Sequence, residues 1–160
     1  MGTGRRKSIQ VVWGTGSGPT ELAAYDTALA AAGVHNYNLL TLSSVVPPAY
    51  RVVELGTARD LGPVGGQLRV VEAKTIRAGG PATAGLGWAV GEKGGVFIET
   101  HENESEERAK TEITQGLESA IALREWTFDT QETRVVTGDA AEEYAAAVVL
   151  AIYDTSTPFE

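Results

Sequence analysis

The sequence predicts a layered α/β or α+β sandwich, and three observations carry that prediction. Two stretches, after Pro19 and from Ser105, place apolar residues at helical spacing. Short β-prone runs lie before, between and after them, and several end in glycine-rich turns that suit hairpins. No repeat, linker or low-complexity segment divides the 160 residues, so they read as one domain, 1–160, with a substantial core.

In chain order, Ser8 to Trp13 is a strand that stops at Gly14, and "GTGSGP" reads as a loop. Pro19 suits the first turn of a helix, with Gly18 or Ser17 before it and Glu21 near the positive N-terminal end. Leu22, Tyr25, Leu29 and Ala32 share one face of that helix, and Gly33 is a natural stop. Tyr37 to Leu42 is a strand. Residues 51 to 67 show no clean period and read as irregular, with "GPVGGQ" a loop. Leu68 to Lys74, Gly85 to Val90 and Val96 to Thr100 are strands, the last two joined by the turn "GEKGG". Ser105 to Arg124 is a helix whose inner stripe is Ala109, Ile113, Leu117, Ala120 and Ile121. Thr133 to Val136 is a strand. "EYAAAVVLAIY" is alanine-rich like a helix, yet its unbroken Val and Ile content reads better as a fully buried strand.

Composition removes several classes of function. There is no cysteine, so disulfides, thiolate metal sites and a cysteine nucleophile are excluded. A histidine-based metal site or a Ser-His-Asp triad would have to use His35 or His101, and no metal is expected. The net charge of -8 argues against nucleic acid, since Arg5, Arg6 and Lys7 form the one basic cluster. No apolar run approaches a membrane span, and "MGTGRRKSIQ" lacks the apolar core of a signal peptide. Arg6 also stands where a myristoylation signal needs Ser or Thr. The expectation is a cytoplasmic chain whose acidic surface mildly favours a cationic ligand.

Three features invite chemistry. Gly14, Gly16 and Gly18 between a strand and a helix resemble an anion-cradling turn, but the pattern is neither GxGxxG nor a P-loop, so a plain strand-to-helix turn is the better reading. Asp26 falls at the edge of the first helix's apolar stripe, with no Lys or Arg three or four residues away. A carboxylate turned inward there needs a donor from elsewhere, either a bound cation or a neighbouring loop. The third feature is "LSSVVPP". Pro47 and Pro48 hold the residues before them extended, at the exit of a strand that ends in Ser43-Ser44. A serine hydroxyl held against the preceding carbonyl can attack it, converting amide to ester. Elimination then cuts the chain and leaves the second serine as the precursor of a pyruvoyl group. The step needs a donor to the oxyanion, and Asn38 offers one if the chain folds back.

The segment "ELAAYDTALAAAGVHNYNLLTLSSVVPP", residues 21 to 48, resembles the N-terminal signature of the pyruvoyl-dependent arginine decarboxylases. Asp26, Gly33, Asn38-Leu39, Ser43-Ser44 and Pro47-Pro48 fall in the family's order; Ala49 stands where a glycine often follows the prolines. The resemblance implies a four-layer αββα sandwich of mixed and antiparallel sheets, made as a self-cleaving proenzyme. It implies cleavage between Ser43 and Ser44 into a β chain, 1–43, and an α chain, 44–160, with a pyruvoyl group derived from Ser44. Asn38 would assist cleavage, and Asp26 would receive the guanidinium of the substrate. Glu99, directly after Val96-Phe97-Ile98, would be the proton donor in preference to Glu102, although the following "THE" departs from the family pattern. The implied reaction is decarboxylation of L-arginine to agmatine and CO2 through a Schiff base, in a homo-oligomer built as a trimer or hexamer with sites between subunits. Two other readings stay open: a pyruvoyl decarboxylase for another cationic amino acid, and an unprocessed ligand-binding or assembly module.

Overall fold

A computed structural model describes residues 7–103 and 105–156 of the chain. Arg5 and Arg6, and so most of the basic cluster, lie outside the described residues. Nine strands and two helices form among them. In order they are β1 (Lys7–Gly18), α1 (Glu21–Ala32), β2 (Asn38–Thr41), β3 (Val45–Val46), β4 (Tyr50–Gly56), β5 (Gln67–Ala78), β6 (Ala82–Gly91), β7 (Gly94–Glu99), α2 (Glu106–Ala122), β8 (Thr130–Gly138) and β9 (Tyr144–Ser156). A five-stranded mixed sheet runs β2-β5-β9-β1-β4, with β2 parallel to β5 and β1 parallel to β4. The four-stranded sheet, β3-β7-β6-β8, is antiparallel throughout. None of the described helices is long and apolar enough to cross a membrane.

Three apolar clusters separate four layers. Ile9, Val11, Ala147 and Val149 of the large sheet meet Leu86, Trp88 and Phe97 of the small one. Ala24, Ala28 and Ala32 of α1 pack on Val12, Val148 and Leu150, on the outer face of the large sheet. Ile113 and Leu117 of α2 pack on Ala89 and Val96 of the small sheet. The expected αββα sandwich is therefore what the chain builds. β9 explains its own ambiguity: its alternate residues face the other sheet and α1, so both faces are buried and the run is apolar throughout. Tertiary burial overrides the helix preference of its alanines.

The glycine segment is a correction. Gly14, Gly16 and Gly18 are not in a loop but in β1, which continues antiparallel to β9 as far as Gly18↔Tyr144. They recur with period two on one strand face, and a Cβ there would lie 2.1 Å from the Ala28 carbonyl oxygen at Gly14 and 2.6 Å from that of Ala24 at Gly16. The bare row lets α1 press its alanines directly on the sheet. This also moves the helix start. Thr20, not Gly18 or Ser17, is the N-cap, with its hydroxyl accepting from Ala23 N–H at 3.0 Å. The buried stripe is Ala24, Ala28, Leu29 and Ala32, so Leu22, expected inside, is 75% exposed. Residues 51–56, expected to be irregular, belong to β4, because parallel pairing to β1 orders them.

Candidate active site around Ser44

The peptide between Ser43 and Ser44 spans the two sheets. Leu42 N–H donates to Val70 O of the large sheet at 2.8 Å, while Phe97 N–H, in the small sheet, donates to Ser44 O at 2.8 Å. β3 then pairs with β7 as Val45↔Val96 and Val46↔Gly95. The chain leaves through Pro47 and Pro48 and returns to the large sheet as β4. Ala49 makes that return with φ of 69°, a left-handed conformation that glycine adopts at less cost. The serine pair is therefore a short crossing anchored at both ends.

Continuing the β3–β7 register sets Ser44 opposite Phe97, and Glu99 stands two residues along on the same strand face. The Ser44 hydroxyl donates to Glu99 Oε2 at 2.9 Å. Val45 N–H donates to Ser43 O at 2.6 Å, closing a tight turn around Ser44. That donor already sits on the oxygen that would carry negative charge if the Ser43 carbonyl were attacked. From the large sheet, Tyr153 Oη donates to Val45 O at 3.0 Å. Burial first, and then the charge of Glu99, push the Tyr153 hydroxyl above the ordinary phenol range, so it remains a donor. A cavity of about 350 Å³ opens here, lined by Ser43, Ser44, Glu99, Ala120 and Arg124 among others.

The expected residues divide. Ser43, Ser44 and Glu99 meet in this cavity; Glu102 does not line it, and has a φ of 51° beside Arg77 instead. Asn38 begins β2, and its carboxamide donates to Gly65 O at 3.0 Å rather than to Ser43. Asp26 is exposed on α1, a correction to its inward placement. With Ala24 and Ala28 as the buried stripe, a residue two positions from Ala24 turns about 200° away from it. Tyr153 and Arg124 were not legible as site residues, because each arrives from an element distant in sequence.

The family model described as pyruvoyl-dependent arginine decarboxylase matches residues 8–158. The chain belongs to this family. A pyruvoyl-dependent arginine decarboxylase of Halobacterium salinarum is 45% identical over 154 residues, covering 94% of this chain and 96% of the relative. Proteins of the same description from Pyrococcus horikoshii and Thermococcus sibiricus are 31% and 30% identical, over 84% and 85% of this chain and 86% and 89% of theirs. The similarity that the sequence carried on residues 21–48 thus extends over residues 8–158. The site fits the group the family is named for: Ser44 opens on a cavity, and Phe97 N–H already holds its carbonyl oxygen.

Proposed function

We propose that this chain is a pyruvoyl-dependent amino-acid decarboxylase that converts L-arginine to agmatine and CO2 after cutting itself between Ser43 and Ser44. The observation that carries the reading is the constrained Ser43-Ser44 crossing. The hydroxyl of Ser44 is held by Glu99, and the carbonyl before it accepts the Val45 N–H. Attack by the Ser44 oxygen on the Ser43 carbonyl gives an ester, with Val45 N–H stabilising the oxyanion. Elimination yields chains 1–43 and 44–160 from one folding unit, and hydrolysis leaves a pyruvoyl group on residue 44.

When formed, a pyruvoyl group supplies a carbonyl that captures the substrate amine and an adjacent amide carbonyl that withdraws electrons as CO2 leaves. The surrounding chain does the rest. Phe97 N–H holds the residue 44 carbonyl oxygen, and Glu99, beside residue 44, is positioned to return a proton to the substrate carbon. Asp26 receives the guanidinium, for which a carboxylate is the natural bidentate partner. Because Asp26 and Asn38 stand away from Ser44 in one chain, they act on the cavity of a neighbouring copy, in a cytoplasmic homo-oligomer of trimer or hexamer form. The names of the relatives support arginine as substrate.

Intact mass measurement and denaturing electrophoresis of the purified protein test this. Two fragments are expected, the larger lacking a free amino terminus, and Ser44→Ala should remain one full-length band. A wild-type chain that stays whole, or a Ser44→Ala chain that is still cut, would sink the reading.

A further inference from the structure

We propose that Arg124 receives the carboxylate that Ser43 acquires when the chain is cut. On this view the elimination step expels a paired anion rather than an isolated one. The inference rests on the self-cleavage reading above and adds to it the group that stabilises the leaving chain end.

Arg124 lies just past α2, whose C-cap is Leu123. Its N–H donates to Ile121 O at 3.1 Å, which fixes the backbone at the helix end. Its side chain folds back, and Nη1 donates to Ala120 O at 2.9 Å. Among the described residues this is the guanidinium's one hydrogen bond, so most of its five donor hydrogens remain free of protein partners. Arg124 and Ser43 line the same cavity, and among the described residues the charged side chains lining it are Glu99 and Arg124.

The electrostatics of the place make the role specific. Glu99 contributes a carboxyl group, and the C-terminal end of α2, with Ala120 on the cavity wall, contributes the negative end of a helix dipole. A carboxylate created at Ser43 would meet repulsion from the helix end at once, and from Glu99 as soon as that group releases the proton it takes up in the elimination. A planar guanidinium is the side chain best shaped to hold a carboxylate, and Arg124 is the cation among the described residues that line the cavity.

In the ester, the Ser43 carbonyl carbon is bonded to the former hydroxyl oxygen of Ser44, and the nitrogen of residue 44 is a free amine. The Cα proton of residue 44 passes to a base, for which the carboxylate of Glu99 is at hand. The electrons of that C–H bond form the Cα=Cβ double bond, and the Cβ–O bond breaks with its pair going to oxygen. The leaving group is the Ser43 carboxylate, which Arg124 then holds. Addition of water to the tautomerised enamine and loss of ammonia complete the pyruvoyl group.

The test follows full-length chain made by cell-free synthesis over time, for wild type, Arg124→Gln and Arg124→Lys. Loss of a charge-assisted contact should slow the appearance of fragments about ten- to a hundredfold in Arg124→Gln. The uncut chain should then accumulate as ester, which hydroxylamine cuts between residues 43 and 44 to give a 44–160 fragment starting with serine. Arg124→Lys restores the charge and should recover part of the rate. A merely structural defect would leave the uncut chain resistant to hydroxylamine, and that result overturns the proposal. So does wild-type cleavage of Arg124→Gln, including the case where only its KM for arginine rises, which would assign Arg124 to the substrate. A wild-type chain that is never cut refutes the underlying reading instead, so the two failures are distinguishable.

Discussion

Tyr153 shows how a single residue can matter to a bond it does not contain. It stands near the end of β9, and its hydroxyl holds the Val45 carbonyl at 3.0 Å, two residues past Ser43 and the proposed point of cleavage. Its ring packs on Phe97 with centroids 5.9 Å apart. Tyr153→Phe should keep the ring contact and lose the hydrogen bond, worth about 1 kcal/mol, or about fivefold in rate. Because burial and Glu99 raise its pKa above the ordinary phenol range, the hydroxyl stays protonated as pH rises through neutrality. The variant should therefore slow self-cleavage by a similar factor at every pH from about 5 to 9, a window that lies below the ordinary phenol pKa. Time courses of cell-free synthesised chain at several pH values would check this. A changed pH profile would mean that Tyr153 titrates during the reaction, against this account. Ser43 and Ser44 were legible from local pattern, a serine pair before prolines, whereas Glu99 was reached through the family resemblance, as the carboxyl that follows an apolar strand. Tyr153 closes the "LAIY" run and reads there as one more buried residue, since only the packing of two sheets brings it to Val45.

At the scale of elements, the two helices are seated by the same device. α1 lies on the row Gly14, Gly16, Gly18, and α2 lies on Gly85 and Gly87, where an added Cβ would meet Ile113 at 2.9 and 2.2 Å. The α1 contact is the less forgiving, because the atoms in the way at Gly16 are backbone, Ala24 O and Ala28 N, both at 2.6 Å. Gly16→Ala should destabilise the fold by about 1–3 kcal/mol through overpacking. That corresponds to a fall in Tm of roughly 2–4 °C per kcal/mol for a chain of this size. Thermal unfolding of the purified variant measures it, and an unchanged Tm would show that the helix is not held this close. The glycines looked like a loop because glycine disfavours strands. The contrary signal was in the sequence, in their strict period of two opposite alanines spaced by four at 24, 28 and 32. The same alanine stripe turned Asp26 outward. Leu22, Tyr25 and Leu29 had suggested a larger apolar face, but a helix seated on bare glycine needs only small residues beneath it. The long strands were legible by composition. β4 was not, since its order depends on β1, more than thirty residues earlier.

On the scale of the whole molecule, the unsolved distance is between α1 and the Ser44 cavity. α1 covers the outer face of the five-stranded sheet, whereas the cavity is lined by β7 and the end of α2 on the other sheet. Asp26 is exposed on that helix and does not line the Ser44 cavity. Leu22 on α1, and Val45 and Leu123 near the cavity, are 75%, 51% and 81% exposed, apolar surface that self-association would cover. If the site is shared, two defective copies should repair one another. Asp26→Asn alone should be cut normally and turn over arginine poorly, with KM raised, while Ser44→Ala alone should stay whole and inactive. Co-expressed in equal amounts, they should form mixed oligomers in which some cavities combine a processed Ser44 with a neighbour's intact Asp26. For random mixing in a closed ring, about a quarter of the sites meet both conditions, so activity should return to about a quarter of wild type. Separately purified variants combined without exchange supply the baseline. Activity no higher than that baseline, in oligomers proven to be mixed by mass, would place Asp26 and Ser44 in sites of the same chain or remove Asp26 from substrate binding altogether.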